Sequence, residues 1–460
     1  MEIKMSDTIA AISTGSCVSA IGVIRMSGDE AIAIADRVFR RKNGVRLADS
    51  QPGRLYLGGL HGSEGELIDV CMCTFSRAPR SYTGEDTAEL QCHGSPVALA
   101  EALQALFKAG ARQALPGEFT KRAFLNGQMD LSSAEAVIDL IEAQTPAAAY
   151  NAAGQLDGSM SLLADGLYNE IRDVLSHFYA ALDWPDEDIE EFSLEGYRAV
   201  FRRVRDELER MLATYERGKL LRDGVKCAIL GRPNVGKSSL LNALVGYERA
   251  IVTEVAGTTR DTVEERLRIG NVLIRLSDTA GLRDSEDKIE QMGVKRAENA
   301  ARDSSLVIAV FDGGEELGED DFRVLELARS CPMGIAVINK ADMPRRIDAD
   351  AVRSALPETV TVSALTGEGV DALSEAIERM LSSGDKLPTG QLVTNLRQAE
   401  AIARARNSVI AVIEGMDMGL TPDAVLTEAE AAASAIGEIN GRTIREDAVN
   451  AIFSRFCVGK

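Results

Sequence analysis

The chain has 460 residues, enough for about three domains that each bury a core. Apolar residues make up 45% and charged residues 27%, ordinary for a globular protein in water; no run of about 18 apolar residues occurs, which excludes a spanning helix. With 71 acidic against 51 basic residues the formal charge is −20, which excludes a general nucleic-acid binder relying on basic surface and leaves only local contacts or contacts shared with a partner.

The first residues, MEIKMSDTIAAIS, lack a basic flank followed by an apolar core, so no secretory signal is predicted. Seven scattered cysteines, odd in number, fit free thiols in a reducing cytoplasm. From Asp7 to about Pro116 the pattern is short and mixed: the strand-like IGVIRMSG, a helix-like DEAIAIADRVF, then RLYLGGL and LIDVCMCTFS as paired strands around glycine turns. An α+β domain over residues 1–120 is the natural reading. Cys71 and Cys73 alternate onto one face of the last strand, and with no second pair at ligand spacing and three histidines in the chain, packing is favoured there over metal binding.

From residue 121 to 222 the pattern turns helical. SSAEAVIDLIEAQTPAAAYNAAGQL, YNEIRDVLSHFYAALDW and YRAVFRRVRDELERMLATYERGKLLRDG carry apolar residues at spacings of three and four. The acidic run Asp183–Glu195 reads as a solvated connection between helices. Residues 223–382 then alternate apolar strands with helices. A turn-rich linker, SSGDKLPTG, leads into helices over 383–460, where Ile402, Val409, Val412, Ile413 and Met416 share one face. Two helical blocks flanking an α/β region suggest one helical domain interrupted by an insertion.

Within the insertion, GRPNVGKSSL has the character of a phosphate-binding loop. Gly231 and Gly236 let the backbone turn its N–H groups toward phosphate oxygens, with Asn234 and Val235 between them. Lys237 reaches the outer phosphates, Ser238 can ligate magnesium, Ser239 closes the nucleotide-binding stretch, and LLNALVG from Leu240 supplies the start of a helix whose positive end faces the nucleotide. Four further stretches follow in order. Gly257-Thr258-Thr259-Arg260-Asp261 lies where a switch threonine is needed, preceded by Thr253, Glu254, Val255 and Ala256. Asp278-Thr279-Ala280-Gly281 ends the strand Val272–Leu276, where a carboxylate can hold the magnesium shell and a glycine amide can sense the terminal phosphate. Asn339-Lys340-Ala341-Asp342 ends the strand Gly334–Ile338, and its last carboxylate can take two hydrogen bonds from guanine that adenine cannot offer. Ser363-Ala364-Leu365 follows Val360–Val362 and can bring an amide to the guanine oxygen. Each piece alone has an ordinary explanation: a glycine turn, a capping aspartate, a surface Asn-Lys pair. All five in order after the proper strands predict a Ras-like α/β GTP-binding domain.

Three N-terminal stretches, Arg25-Met-Ser-Gly28, Tyr82–Leu90 and Pro116–Gly127, together with the ending Cys457-Val-Gly-Lys460, resemble the tRNA-modification GTPases called MnmE or TrmE. With the flanking helices and the G domain the resemblance covers essentially the whole chain. It implies a homodimer that hydrolyses GTP with Mg2+ and K+ and works with an MnmG or GidA-type FAD protein in a heterotetramer or larger complex. Together they attach an aminomethyl-derived group to carbon 5 of the wobble uridine of certain tRNAs, with a one-carbon tetrahydrofolate as carbon source.

Residue by residue, the resemblance implies Ser238 and Thr259 as magnesium ligands. Potassium would be held by Asn234 with backbone oxygens of Thr253, Val255 and Thr258. Leu282 stands where Ras-like enzymes carry glutamine, and an apolar side chain cannot orient water; the family's catalytic glutamate matches Glu290. By composition alone Asp284, Glu286 and Asp287 are rivals. Arg25, Glu89 and Lys460 match folate contacts, and Gln128 stands where the family often has lysine, a weaker partner for a folate carboxylate. Arg122, in the charged FTKRAF, is a further candidate, and Cys457 would lie near the folate as a chemical participant. The competing reading is a ribosome-assembly or signalling G protein acting only as a nucleotide-dependent switch, which fits the G-domain motifs equally well but not the N-terminal stretches or the CVGK ending.

Overall fold

The computed structural model describes residues 7–15, 17–183, 194–247, 265–276, 298–381, 390–444 and 446–459. They fall into two compact units: residues 1–138, 155–208 and 401–460 form one, and 139–154 with 209–400 the other.

The first unit opens with a seven-stranded sheet. Its strands are β1 (Ile9–Ile12), β2 (Ser19–Ser27), β3 (Phe39–Arg41), β4 (Tyr56–His61), β5 (Leu67–Ser76), β6 (Thr87–Gly94) and β7 (Arg112–Gln113). They lie in the order β3-β4-β5-β6-β2-β1-β7. Helices α1 (Ala31–Val38) and α2 (Pro96–Lys108) supply Ile34, Ala35, Leu99 and Leu106 to a core with Ile24, Met26, Cys73, Phe75 and Leu90. Alternation along β5 sends Cys71 and Cys73 inward. The start of α2 is set by Pro96 in its first turn and Ser95, whose hydroxyl accepts from the Ala98 amide.

Helices α3 (Glu118–Leu125) and α4 (Leu131–Glu142) follow. The helical pattern after Ser132 is carried by two helices, because the residue before a proline avoids helical geometry. Pro146 begins α5 (Pro146–Leu156), and the Thr145 hydroxyl caps the Ala148 amide at 3.2 Å. In the first unit α6 (Ser159–Asp183) packs along α14 (Pro422–Asn440). The Ser132 hydroxyl donates to the Ile439 carbonyl at 2.8 Å, 307 positions away, so the two helical blocks share one body. On α13 (Leu396–Asp417) Ile402, Val409, Val412, Ile413 and Met416 are all buried. The last helix, α15 (Glu446–Phe453), sends Val449 and Phe453 against Leu131 and Ala134. The acidic run and the linker lie largely outside the described residues.

The second unit is built on a six-stranded sheet of β8 (Val225–Leu230), β9 (Glu265–Ile269), β10 (Val272–Leu276), β11 (Leu306–Asp312), β12 (Met333–Asn339) and β13 (Thr359–Thr361), in the order β13-β12-β11-β8-β10-β9. All neighbours are parallel except the β9–β10 hairpin at the edge. Every residue of β11 is buried, the mark of a parallel strand covered on both faces. One face packs on α9 (Lys237–Tyr247) and α12 (Val370–Leu381), the other on α10 (Glu319–Ser330) and α11 (Ala349–Ala355).

The predicted helical run before β8 also breaks. Helix α7 (Leu194–Ala213) and helix α8 (Tyr215–Asp223) are separated at Thr214, whose hydroxyl donates to the Met211 carbonyl and accepts from the Val393 amide. A β-carbon on Gly218 would lie 2.0 Å from the Val393 carbonyl oxygen, so the 390–394 segment crosses α8 only because that residue is glycine.

Candidate functional site

In the second unit the phosphate loop leaves the end of β8 and enters α9 at Lys237. Its glycines have separate reasons. A β-carbon on Gly231 would meet the Val310 carbonyl oxygen at 2.4 Å, and Gly236 stands at φ +94° with the Asn339 amide nitrogen 2.2 Å from where a β-carbon would be. Between them Asn234 is an exposed non-glycine residue at φ +64°, while Val235 is buried in the core below. Lys237 folds over the loop, its Nζ donating to the carbonyls of Gly231 (2.8 Å) and Arg232 (2.7 Å). Burial pushes its pKa below the usual lysine value. Ser238 and Ser239 lie in the first turn of α9, both exposed.

Asn339 ties three stretches together. It is buried at the end of β12; its Nδ2 donates to the Val235 carbonyl at 2.8 Å and its Oδ1 accepts from the Ala364 amide at 2.9 Å. The Ser363 hydroxyl donates to Asp342 Oδ1 at 2.6 Å, and the Ala341 amide to the Val362 carbonyl. Asp342 and Leu365 stay exposed beside these buried ties.

Two residues that the motif reading passed over also hold this end of the sheet. Asp312, buried at the end of β11 directly across from Asn339, pairs with Lys340 at 2.5 Å. A carboxylate closing an otherwise apolar strand was the signal available. Arg232 binds Asp321 in the first turn of α10 at 2.8 Å and Glu315 at 3.1 Å, and Asp321 also accepts from the Gly318 amide. Thr253, Glu254, Val255, Ala256, Gly257, Thr258, Thr259, Asp278, Thr279, Ala280, Gly281, Glu290 and Lys460 lie outside the described residues.

The first unit holds a different constellation. Arg25 and Glu89 are direct cross-strand partners on β2 and β6, with Nε 2.8 Å from Oε1. The guanidinium lies 5.3 Å from the Tyr82 ring centre and 5.8 Å from that of Phe119. Gln128 is exposed and its side chain neighbours Gly84, two residues past Tyr82. The C-terminal tail runs onto the same unit: Val458 bridges Pro116, the Gly117 amide donates to the Cys457 carbonyl, and the Ser13 hydroxyl donates to the Gly459 carbonyl at 3.0 Å. Cys457 itself is exposed.

Arg122 does not face a ligand, contrary to the expectation from FTKRAF. Its side chain is 1% exposed and donates to both Glu85 oxygens, to Glu118 and to the Asp7 carbonyl. Arg112 forks onto the other side of Glu118 at 2.6 and 2.9 Å. Burial alone would raise the Glu118 carboxyl; the bonds from Arg112, the Leu115 amide and Arg122 outweigh it and hold it below the ordinary range.

Two family models match the chain: "GTP-binding protein TrmE N-terminus" over residues 8–128 and "MnmE helical domain" over 131–457. A curated tRNA modification GTPase MnmE from Geobacillus kaustophilus is 41% identical over 460 residues, covering 99% of each chain. One from Listeria innocua is 41% identical over 459 residues, again 99% of each. The chain belongs to the MnmE family of tRNA modification GTPases. The family model for the helical domain runs across the inserted sheet, as the shared body of the two helical blocks requires. A solved G domain of the T. maritima FeoB iron transporter matches 35% of this chain and 99% of its own at 29% identity, with a TM-score of 0.26.

Proposed function

We propose that this MnmE-family GTPase is potassium-dependent and that, as a homodimer with an MnmG or GidA-type FAD protein, it adds an aminomethyl-derived group to carbon 5 of a tRNA wobble uridine. The observation that carries the nucleotide half is Asn339, whose buried carboxamide draws the phosphate loop and the Ser363–Leu365 loop to one end of the sheet. There Asp342, exposed and braced by Ser363, is suited to accept two hydrogen bonds from guanine. Lys237 and the loop amides would hold the phosphates, Ser238 and Thr259 a magnesium ion, and Glu290 the attacking water. An exposed carboxamide on a left-handed loop residue suits Asn234 to a monovalent cation, completed by Thr253, Val255 and Thr258. Such ions supply positive charge against the phosphates as the loose transition state forms.

For the folate half, a charged pair framed by two rings, Arg25 and Glu89 beside Tyr82 and Phe119, is chemistry a pterin would take. Gln128, Lys460 and Cys457 would complete that site. Leu57, Leu67 and Val70 are exposed on β4 and β5, a sheet face suited to a second copy of the chain. A charge of −20 favours a partner that brings basic surface to the tRNA.

The test is steady-state GTP hydrolysis in potassium against sodium at matched ionic strength, with Asn234→Ala alongside. A large potassium stimulation that the variant loses is expected; equal rates in both salts overturn the ion-dependent reading.

A further inference from the structure

A cleft of about 700 Å3 in the second unit lies between the β9–β10 hairpin, the end of α8 and the 139–152 segment, and four arginines line it: Arg222, Arg266, Arg268 and Arg275. Their placement follows from strand periodicity. On β9 and β10 Leu267, Ile269, Ile274 and Leu276 turn into the core, so Arg266, Arg268 and Arg275 project from the opposite face. Arg266 and Arg275 are direct cross-strand partners, a like-charge pairing that costs stability. Leu273 shares that face and packs on Gly224, giving the cleft an apolar floor.

The arginines differ in how far they are committed. Arg222 is bound to Asp139 at 3.0 Å. Arg268 donates through Nε to the Gly270 carbonyl, and among the described residues neither Arg266 nor Arg268 makes an ion pair. Two exposed carboxylates, Glu142 and Asp223, also line the cleft; they limit the field, so the site suits one or two phosphates rather than a long basic track. A planar guanidinium fork at the wall of a cleft matches phosphate geometry, and in a chain of charge −20 such a concentration of guanidinium groups on a face that destabilises its own hairpin calls for an anionic occupant.

We propose that this cleft holds backbone phosphates of the tRNA, with Arg266 and Arg268 as the contacting groups. The inference rests on the reading that the chain acts on tRNA. It supplies the local contact that the overall charge leaves room for, and it is separate from the nucleotide loops.

The experiment measures binding of an unmodified tRNA to the full-length protein across a salt series, for the wild type, Arg266→Gln/Arg268→Gln and Arg266→Lys/Arg268→Lys. Each phosphate contact contributes about 0.9 to the slope of log K against log salt, so the glutamine variant should lose about 1.8 in slope and bind about 10- to 60-fold more weakly at 0.1 M salt. The lysine variant should keep the slope. Thermal stability and GTP hydrolysis of the glutamine variant should match the wild type or rise, since the hairpin repulsion is relieved. An unchanged slope in the glutamine variant, with tRNA still bound, overturns the cleft assignment alone; a wild type that binds no tRNA overturns the tRNA reading and this inference with it. Inorganic phosphate is the second arm: if it protects the wild type thermally, loses that effect in the glutamine variant, and tRNA affinity is the same in both, the cleft is a free-anion site and the proposal fails.

Discussion

The nucleotide loops and the Arg122 cluster both gather charge into a small volume, yet one is open and the other closed. At the end of the second sheet the buried atoms are the ties, Asn339 and Ser363, while Asp342 and Asn234 remain exposed. Around Arg122 the charges themselves are the buried atoms, and Glu85, Glu118 and the Asp7 carbonyl bind both terminal nitrogens of the guanidinium, while its buried Nε has no partner among the described residues. Ligand chemistry needs the first arrangement. The second stabilises a fold, because removing one partner strands a buried charge. Arg25 and Glu89 stand between the two: paired like the closed cluster, but with side chains 19% and 30% exposed.

Substitutions should separate these roles. Glu118→Ala leaves Arg112 and Arg122 without their shared carboxylate and should cost about 3–5 kcal/mol, read as lost hydrogen-exchange protection in β2 and α3, with GTP hydrolysis at low temperature retained. The same cluster sets an acid limit. Because the folded Glu118 carboxyl is held below 4.5, its stabilisation is complete above that value and is lost as pH falls through the lower folded pKa; Glu118→Gln should flatten that acid transition. Lys237→Ala should do the reverse of Glu118→Ala, lowering GTP hydrolysis by about 100- to 1,000-fold while leaving exchange in β2 and α3 unchanged. Burial disfavours the charged form of Lys237 in the free protein, so stability should rise slightly as pH climbs from its lowered pKa toward 10.5, an effect absent in the variant.

Asn339→Ala tests the tie between loops. It leaves the Val235 carbonyl and the Ala364 amide unpaired and should cost about 1–3 kcal/mol of local stability, with GTP affinity reduced although the phosphate loop sequence is intact. The smallest structural effect is expected for Glu89→Gln. A partly exposed pair contributes about 1 kcal/mol or less, so a large loss of folate binding without a matching loss of stability would mark the pair as a ligand site. A large loss of stability would place it with Arg122.

The open site was far more legible in the sequence than the closed one. Phosphate-loop and guanine motifs are local: glycine spacing, a lysine at a helix start and an Asn-Lys-x-Asp at a strand end sit within a few residues of each other. Arg122 takes its partners from positions 4, 37 and 115 residues away, and nothing in FTKRAF distinguishes a buried guanidinium from an exposed one. Lys340 and Asp312 meet through the β11–β12 register, which periodicity does not specify. The breaks at Pro146 and Thr214 fell inside apolar patterns that continue on both sides. The Arg266–Arg275 opposition likewise needs the hairpin register; the sequence alone shows only scattered arginines.

Asp342, held by Ser363, is proposed to read the guanine base. Asp342→Asn replaces an acceptor-only carboxylate by an amide that presents one acceptor and one donor, which suits the ring N–H and C2 oxygen of xanthine and mismatches guanine. The decisive measurement is the ratio of hydrolysis efficiency for GTP and XTP in wild type and variant. GTP efficiency should fall by about 100-fold with the loss of two charge-assisted hydrogen bonds, while XTP efficiency rises. An unchanged GTP-to-XTP ratio would contradict it.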